Sequence, residues 1–217
     1  MPRDWQSVVD QLTDIQKLVH LAHRYDIVTE QEMRTSLLAM RRQSYNDELT
    51  NQAARVGCPN RRGDLRNGDI LTTINEMCET DAASIVNTYN YDLAVKIMQL
   101  GAENPRGNRY FYAARLRTWE QERAQWKDVQ IAQYTDASAR AKALQDFTQF
   151  NGAMGTAVLQ PTSAVCSVCQ GWITRGEVPL REATNDPPPY HLNCPHYWDT
   201  YPDRWPKGEC DELWMGQ

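Results

Sequence analysis

Phenylalanine is scarce in this chain: three residues, against ten tyrosines and seven tryptophans. A Phe-based core is thereby excluded. The aromatics that remain carry polar handles and suit half-buried surfaces and interfaces as well as core filling. No run of about 18 apolar residues occurs, so no helix is expected to span a membrane. The opening MPRDWQSVVDQL places charge where a signal peptide needs an apolar core. The expectation is a chain kept in a reducing cytoplasm, its six cysteines serving as thiols and metal ligands rather than disulfides. Basic residues are in deficit, 23 Lys and Arg against 28 Asp and Glu, for a net charge of −5. That balance argues against a general nucleic-acid-binding face and leaves room only for a local basic patch. There is no Gly-rich phosphate loop, G-x-S-x-G elbow, H-E-x-x-H or dinucleotide fingerprint. Internal repeats of about 20 to 50 residues are also missing.

What is present begins with helical periodicity. At 41% hydrophobic and 24% charged, the 217 residues suit one substantial domain with a smaller module. From Asp4 to Arg24, Trp5, Val8, Val9, Leu12, Ile15, Leu18, Val19 and Ala22 follow one helix face. His20 and His23 fall in its last turns, where histidine favours the helix C-terminus. Thr29 and Glu32 form a capping box. A second helix is predicted from Glu30 to Val56, with Leu37, Leu38, Met40, Tyr45 and Leu49 inward, stopped by Gly57-Cys58-Pro59. The loop 59–68 carries three arginines, read as solvated or as contacts for phosphate or an acidic partner. Asp69 is the expected cap of a third helix, Ile70 to Leu100, ended by Gly101. Arg109 to Phe150 reads as one long helix, or as two broken near Tyr134, with Trp119 and Trp126 sharing a face.

Composition changes at Asn151. The predicted organisation is mainly α: a helical body over residues 1–155, a zinc-stabilised, β-hairpin-containing module over 156–198, and an extended C-terminal arm over 199–217. Cys166 and Cys169 form a C-x2-C pair, and His191 and Cys194 an H-x2-C pair twenty-one residues later. Two intervening residues let a tight turn aim both side chains at one point, and Zn²⁺ takes four such ligands tetrahedrally. An incidental pair, a redox C-x-x-C and half of a disulfide network are the alternatives. No βαβ pattern supports the redox motif. The segments 172–174 and 177–180 are expected as two short strands around Arg175-Gly176. Cys58 and Cys78 read as ordinary thiols, and Cys210 as a candidate extra ligand without a chelating neighbour. Three sulfurs and one imidazole would close the metal shell, so a structural rather than hydrolytic zinc is expected.

This C-terminal region resembles the Mu-type minor head, or head morphogenesis, proteins of tailed bacteriophages. The resemblance is carried by Pro161-Thr-Ser-Ala-Val-Cys166-Ser-Val-Cys169, by Gly171 to Gly176, and by Pro188-Pro-Tyr-His191-Leu-Asn-Cys194. It covers about 35 residues strongly, with a weaker likeness at Ile74 to Asn87. Where the family ends H-P-N-C-R-C, this chain reads H-L-N-C-P-H, so His196 stands in the place of a last cysteine and is the alternative fourth ligand. Because His196 is separated from Cys194 only by Pro195, an extended backbone would point the two apart, which favours His191. The resemblance implies a non-catalytic virion component, near the portal or inside the capsid, present in the host cytoplasm during assembly. Its implied partners are the portal, major capsid or neighbouring subunits, with self-association open. A zinc-stabilised intracellular adaptor and an HNH-like nuclease are the competing functions. Pro195, Trp198 and Pro202 oppose the helix a nuclease would need.

Overall fold

The computed structural model describes residues 30–160, 166–189, 194, 196–203, 205 and 210–217, except for the side chains of 125 and 126. The expected helix from Asp4 to Arg24, with His20 and His23, and the Thr29 half of the capping box lie outside these residues. The elements are α1 (Glu30–Arg55), α2 (Gly68–Glu103), α3 (Arg109–Asn151), β1 (Gly155–Leu159), α4 (Ser167–Arg175), β2 (Glu177–Pro179), α5 (Leu180–Asn185) and β3 (Trp198–Pro202). A 3-10 turn follows at Cys210–Glu212. The mainly-α class with a small β-containing C-terminal module therefore holds. Among the described residues no helix is long and apolar enough to cross a membrane.

Several helix ends differ from expectation. Asn67, not Asp69, caps α2: its Oδ1 accepts the Ile70 N–H at 3.2 Å. Asn108 caps α3 in the same way, accepting from Phe111 N at 3.0 Å. Side chains that reach the third amide satisfy donors the first turn leaves orphaned. Gly101 does not end α2, which continues to Glu103. α3 runs unbroken through Tyr134, because Thr135, Ser138 and Ala139 are buried rather than free to restart a helix. It ends where Gly152 takes φ +60° and the Ala153 N–H returns to the Thr148 carbonyl at 3.0 Å, a left-handed cap that glycine adopts without Cβ strain.

Two compact units divide the chain, and the second runs across residues 155 and 198. One comprises Met77–Val129 with residues 30–36; the other joins Leu37–Glu76 to Gln130–Gln217. In the first, Leu93, Ala94, Ile97 and Leu100 of α2 bury against Ala113 and Leu116 of α3. Trp119 packs half-buried on this cluster, its ring 5.9 Å from Tyr89. It is therefore a packing residue of this helix pair. The Trp126 side chain lies outside the described residues.

In the second unit α1 docks through polar groups as much as apolar ones. Arg41, Tyr45, Glu48, Gln52 and Arg55 recur at intervals of three and four, which puts them on one helical stripe. Arg41 donates to Ser138 Oγ at 3.3 Å, Tyr45 to Asp146 at 2.7 Å, and Arg140 reaches back to Glu48 at 3.4 Å. Further along the stripe Gln52 bonds Thr200 Oγ1 at 2.9 Å, and Arg55 bonds Asp199 at 2.9 Å and the Thr200 carbonyl. Leu37 and Leu49 are buried as expected, whereas Met40 is exposed.

The sheet is antiparallel, in the order β2-β1-β3. Ala157 stands opposite Val178 on one side and Thr200 on the other. The expected hairpin at 172–180 is thus corrected: residues 172–174 belong to α4, and β2 pairs with β1 instead. Cys169, Trp172 and Ile173 sit at i, i+3 and i+4, so helical geometry puts all three on the core side.

The C-terminal arm is docked. Leu213 and Met215 are buried, and the 61–67 loop is stitched to them by Asp64 N to Met215 O at 2.8 Å and Arg66 N to Gly216 O at 2.7 Å. Of the loop arginines, Arg61 donates to the Leu213 carbonyl at 3.0 Å. Cys58 and Cys210 form a disulfide across 152 residues. This corrects the expectation that both are thiols and that Cys210 is a spare ligand. Sequence distance concealed that the arm folds back and brings the two Cα atoms to 5.5 Å.

Candidate metal centre

The site is assembled where α4 begins and where the chain returns towards β3. Cys166 caps α4 from an extended conformation, and its Sγ accepts the Cys169 amide at 3.4 Å. That N–H to sulfur contact is what the x2 spacing produces when the second cysteine enters a helix turn. Cys169 then points into an apolar cluster of Leu144, Ala157, Leu159, Val178, Leu180, Ala183 and Trp198. Trp172 closes one side, edge-on to Trp198 at 5.4 Å.

Cys194 arrives at 3.6 Å from the Cys169 sulfur, and His196 Nδ1 lies 3.6 Å from the Cys194 sulfur. The ligand atoms of Cys169, Cys194 and His196 all fall within 4.8 Å of one another, and the three residues are buried. Tetrahedral Zn²⁺, with Zn–S near 2.3 Å and Zn–N near 2.0–2.1 Å, requires sulfur–sulfur edges of about 3.8 Å and sulfur–nitrogen edges of about 3.6 Å. Both separations fit these edges. The donor set, two thiols and an imidazole with a third thiol capping the same helix, is one that borderline-soft metals take up. These residues could therefore hold a metal ion.

Electrostatics agree. Burial pushes the Cys169 thiol well above its ordinary value, and the adjacent Cys166 and Cys194 sulfurs push it further. An anionic sulfur in this cluster needs a cation to offset its desolvation.

Of the sequence-predicted ligands, Cys169 and Cys194 are brought together, and Cys166 sits beside Cys169. His191 lies outside the described residues. The spacing argument against His196 fails. Cys194 and His196 precede β3 in irregular backbone, so the alternation of an extended strand does not separate them.

A cavity of 460 Å³ flanks the cluster, with Cys194, His196 and Pro188 on one wall and α1 and α3 on the other. Its acidic groups are engaged. Arg140 is held by both carboxylate oxygens of Asp136, at 3.0 and 2.9 Å, and by Glu48, which also accepts from Gln52 at 2.6 Å. Apolar periodicity does not reveal this α1 stripe; its signal in the sequence is polar recurrence at the same spacing. No protein-family model matches this chain, and no curated protein or solved structure matches it either.

Proposed function

We propose that this chain is a non-catalytic assembly protein of a tailed-bacteriophage head whose C-terminal part is held together by one structural Zn²⁺. The observation that carries the metal half is the buried Cys169–Cys194–His196 cluster with tetrahedral edge lengths. Cys166, beside Cys169 but outside the three-residue cluster, is taken as the fourth ligand of a Cys3His shell, and His196 takes the position the sequence spacing had given to His191. The ion supplies folding energy to short elements: a three-stranded sheet and two helices of nine and six residues. Among the described residues, the cavity-lining carboxylates Glu48 and Asp136 are paired with Arg140, which supports a structural role. Burial of His196 among thiols weighs against its use as the exposed base of a nuclease. The phage half rests on the likeness of the C-x2-C and PP-x-H-x-N-C segments to minor head proteins. Portal, capsid or neighbouring subunits are then the partners.

Protein purified without added metal should contain close to one equivalent of zinc. His196→Ala should lose it and His191→Ala should keep it; the reverse result returns His191 to the shell. Zinc-free protein with Cys166, Cys169 and Cys194 all titrating as free thiols would overturn the metal half. Mass spectrometry of purified virions should find the chain at low copy number, and its absence from particles would favour an intracellular adaptor.

A further inference from the structure

We propose that Cys169 and Cys194 are alternative partners of each other as well as of a metal, so that the site holds either an ion or a disulfide. The proposal rests on the metal reading above for the protecting ion. The two sulfurs stand 3.6 Å apart. A disulfide needs about 2.0 Å, so closing the pair requires roughly 1.5 Å of side-chain movement. Zn²⁺ bound to both would hold them near 3.8 Å, which makes the two states mutually exclusive. The same chain closes Cys58 to Cys210, so oxidation and free thiols coexist in one molecule. In this proposal the metal is what keeps the second pair reduced.

Among the described residues, one cavity gives access to the pair. Cys194 lines the 460 Å³ cavity, whereas Cys169 is fully buried behind it. A small oxidant such as hydrogen peroxide therefore meets Cys194 first. The Cys194 thiolate attacks one peroxide oxygen, expels hydroxide and becomes a sulfenic acid. The Cys169 thiol then displaces the hydroxyl from that sulfur, forming the S–S bond. Two thiols lose two electrons and two protons, and one peroxide becomes two waters. Cys166 also neighbours Cys169, whose amide its sulfur accepts, so a Cys166–Cys169 link is the competing product.

The test uses the full chain, zinc-loaded or stripped with a chelator, exposed to hydrogen peroxide, digested without reductant and mapped by mass spectrometry. A Cys169–Cys194 cross-link is expected in stripped protein, at least tenfold less in zinc-loaded protein, and undiminished in Cys166→Ser. Zinc uptake by the oxidised protein should return only after dithiothreitol. A Cys166–Cys169 link, a sulfinic acid at Cys194 without a cross-link, or equal cross-linking in loaded protein would each overturn the proposal. A chain that binds zinc but does not cross-link when stripped sinks this inference alone. A chain that cross-links but never binds zinc sinks the metal reading and the exclusivity together.

Discussion

Asp199 sits where β3 meets the polar stripe of α1, bonded to Arg55 at 2.9 Å and to the Tyr201 hydroxyl at 2.8 Å. The Arg55 and Tyr201 hydrogen bonds hold its carboxyl below the usual range. A folded pKa below the unfolded one adds stability above about pH 4, and this is lost as pH falls through the folded value. Asp199→Asn should therefore be less stable than wild type at pH 7, and the two should converge towards pH 3. Denaturant titrations across that range would read it; a gap that stays constant with pH would show that ionisation is not the cause. At this scale the sequence was partly legible. The C-x2-C pair marked a tight turn that brings both cysteines to one site, but not the helix that Cys166 caps. Spacing alone set His196 apart from Cys194, whereas its Nδ1 lies 3.6 Å from that sulfur, because chain direction between Cys194 and β3 depends on tertiary packing; His191 lies outside the described residues.

The junction between α3 and β1 turns on Gly155, which adopts φ +132° with the Pro202 end of β3 against it. A Cβ there would strike the Tyr201 carbonyl oxygen and come within 2.6 Å of Pro202 Cα. Both effects strain any other residue, so Gly155→Ala should cost about 1–3 kcal/mol. Gly171 provides the contrast: it lies inside α4 with nothing within 4 Å of a built Cβ. Gly171→Ala should be neutral or stabilise by up to about 1 kcal/mol. Chemical denaturation of the metal-loaded variants separates the two, and equal effects would mean that backbone strain at Gly155 is absent. The long helices were legible because their apolar residues recur at helical spacing over many turns. α4 was not: nine residues with Trp, Ile, Thr and a glycine read as strand, and only the buried Cys169–Trp172–Ile173 face makes them helical.

For the molecule as a whole, the boundary expected near residue 155 is replaced by a unit that joins Leu37–Glu76 to Gln130–Gln217. The composition change at Asn151 marks a change of local structure, whereas the unit is fixed by contacts that composition does not carry. Gln52 and Arg55 of α1 grip β3 directly, so loss of the proposed metal should spread beyond the sheet. Chelation, or Cys169→Ser, should raise amide exchange across both segments of this unit together and leave Met77–Val129 protected. Exchange confined to residues 156–198 would show that the sheet and its metal fold as an independent module.

The docking of Met215 and Gly216 on the 61–67 loop also bears on the order in which the chain is made. Asp64, Arg66 and Asn67 find their backbone acceptors only in residues about 150 positions later. A ribosome delivers residues in sequence at about 5–20 per second. α1 and its loop therefore emerge many seconds before the tail that completes them. During that interval the excursion from Met77 to Val129 can pair its own helices, while Leu65 and the α1 core side wait uncovered. Closure of the discontinuous unit is thus a late event of synthesis, and that wait is when its apolar surfaces are open to a chaperone or to a wrong partner.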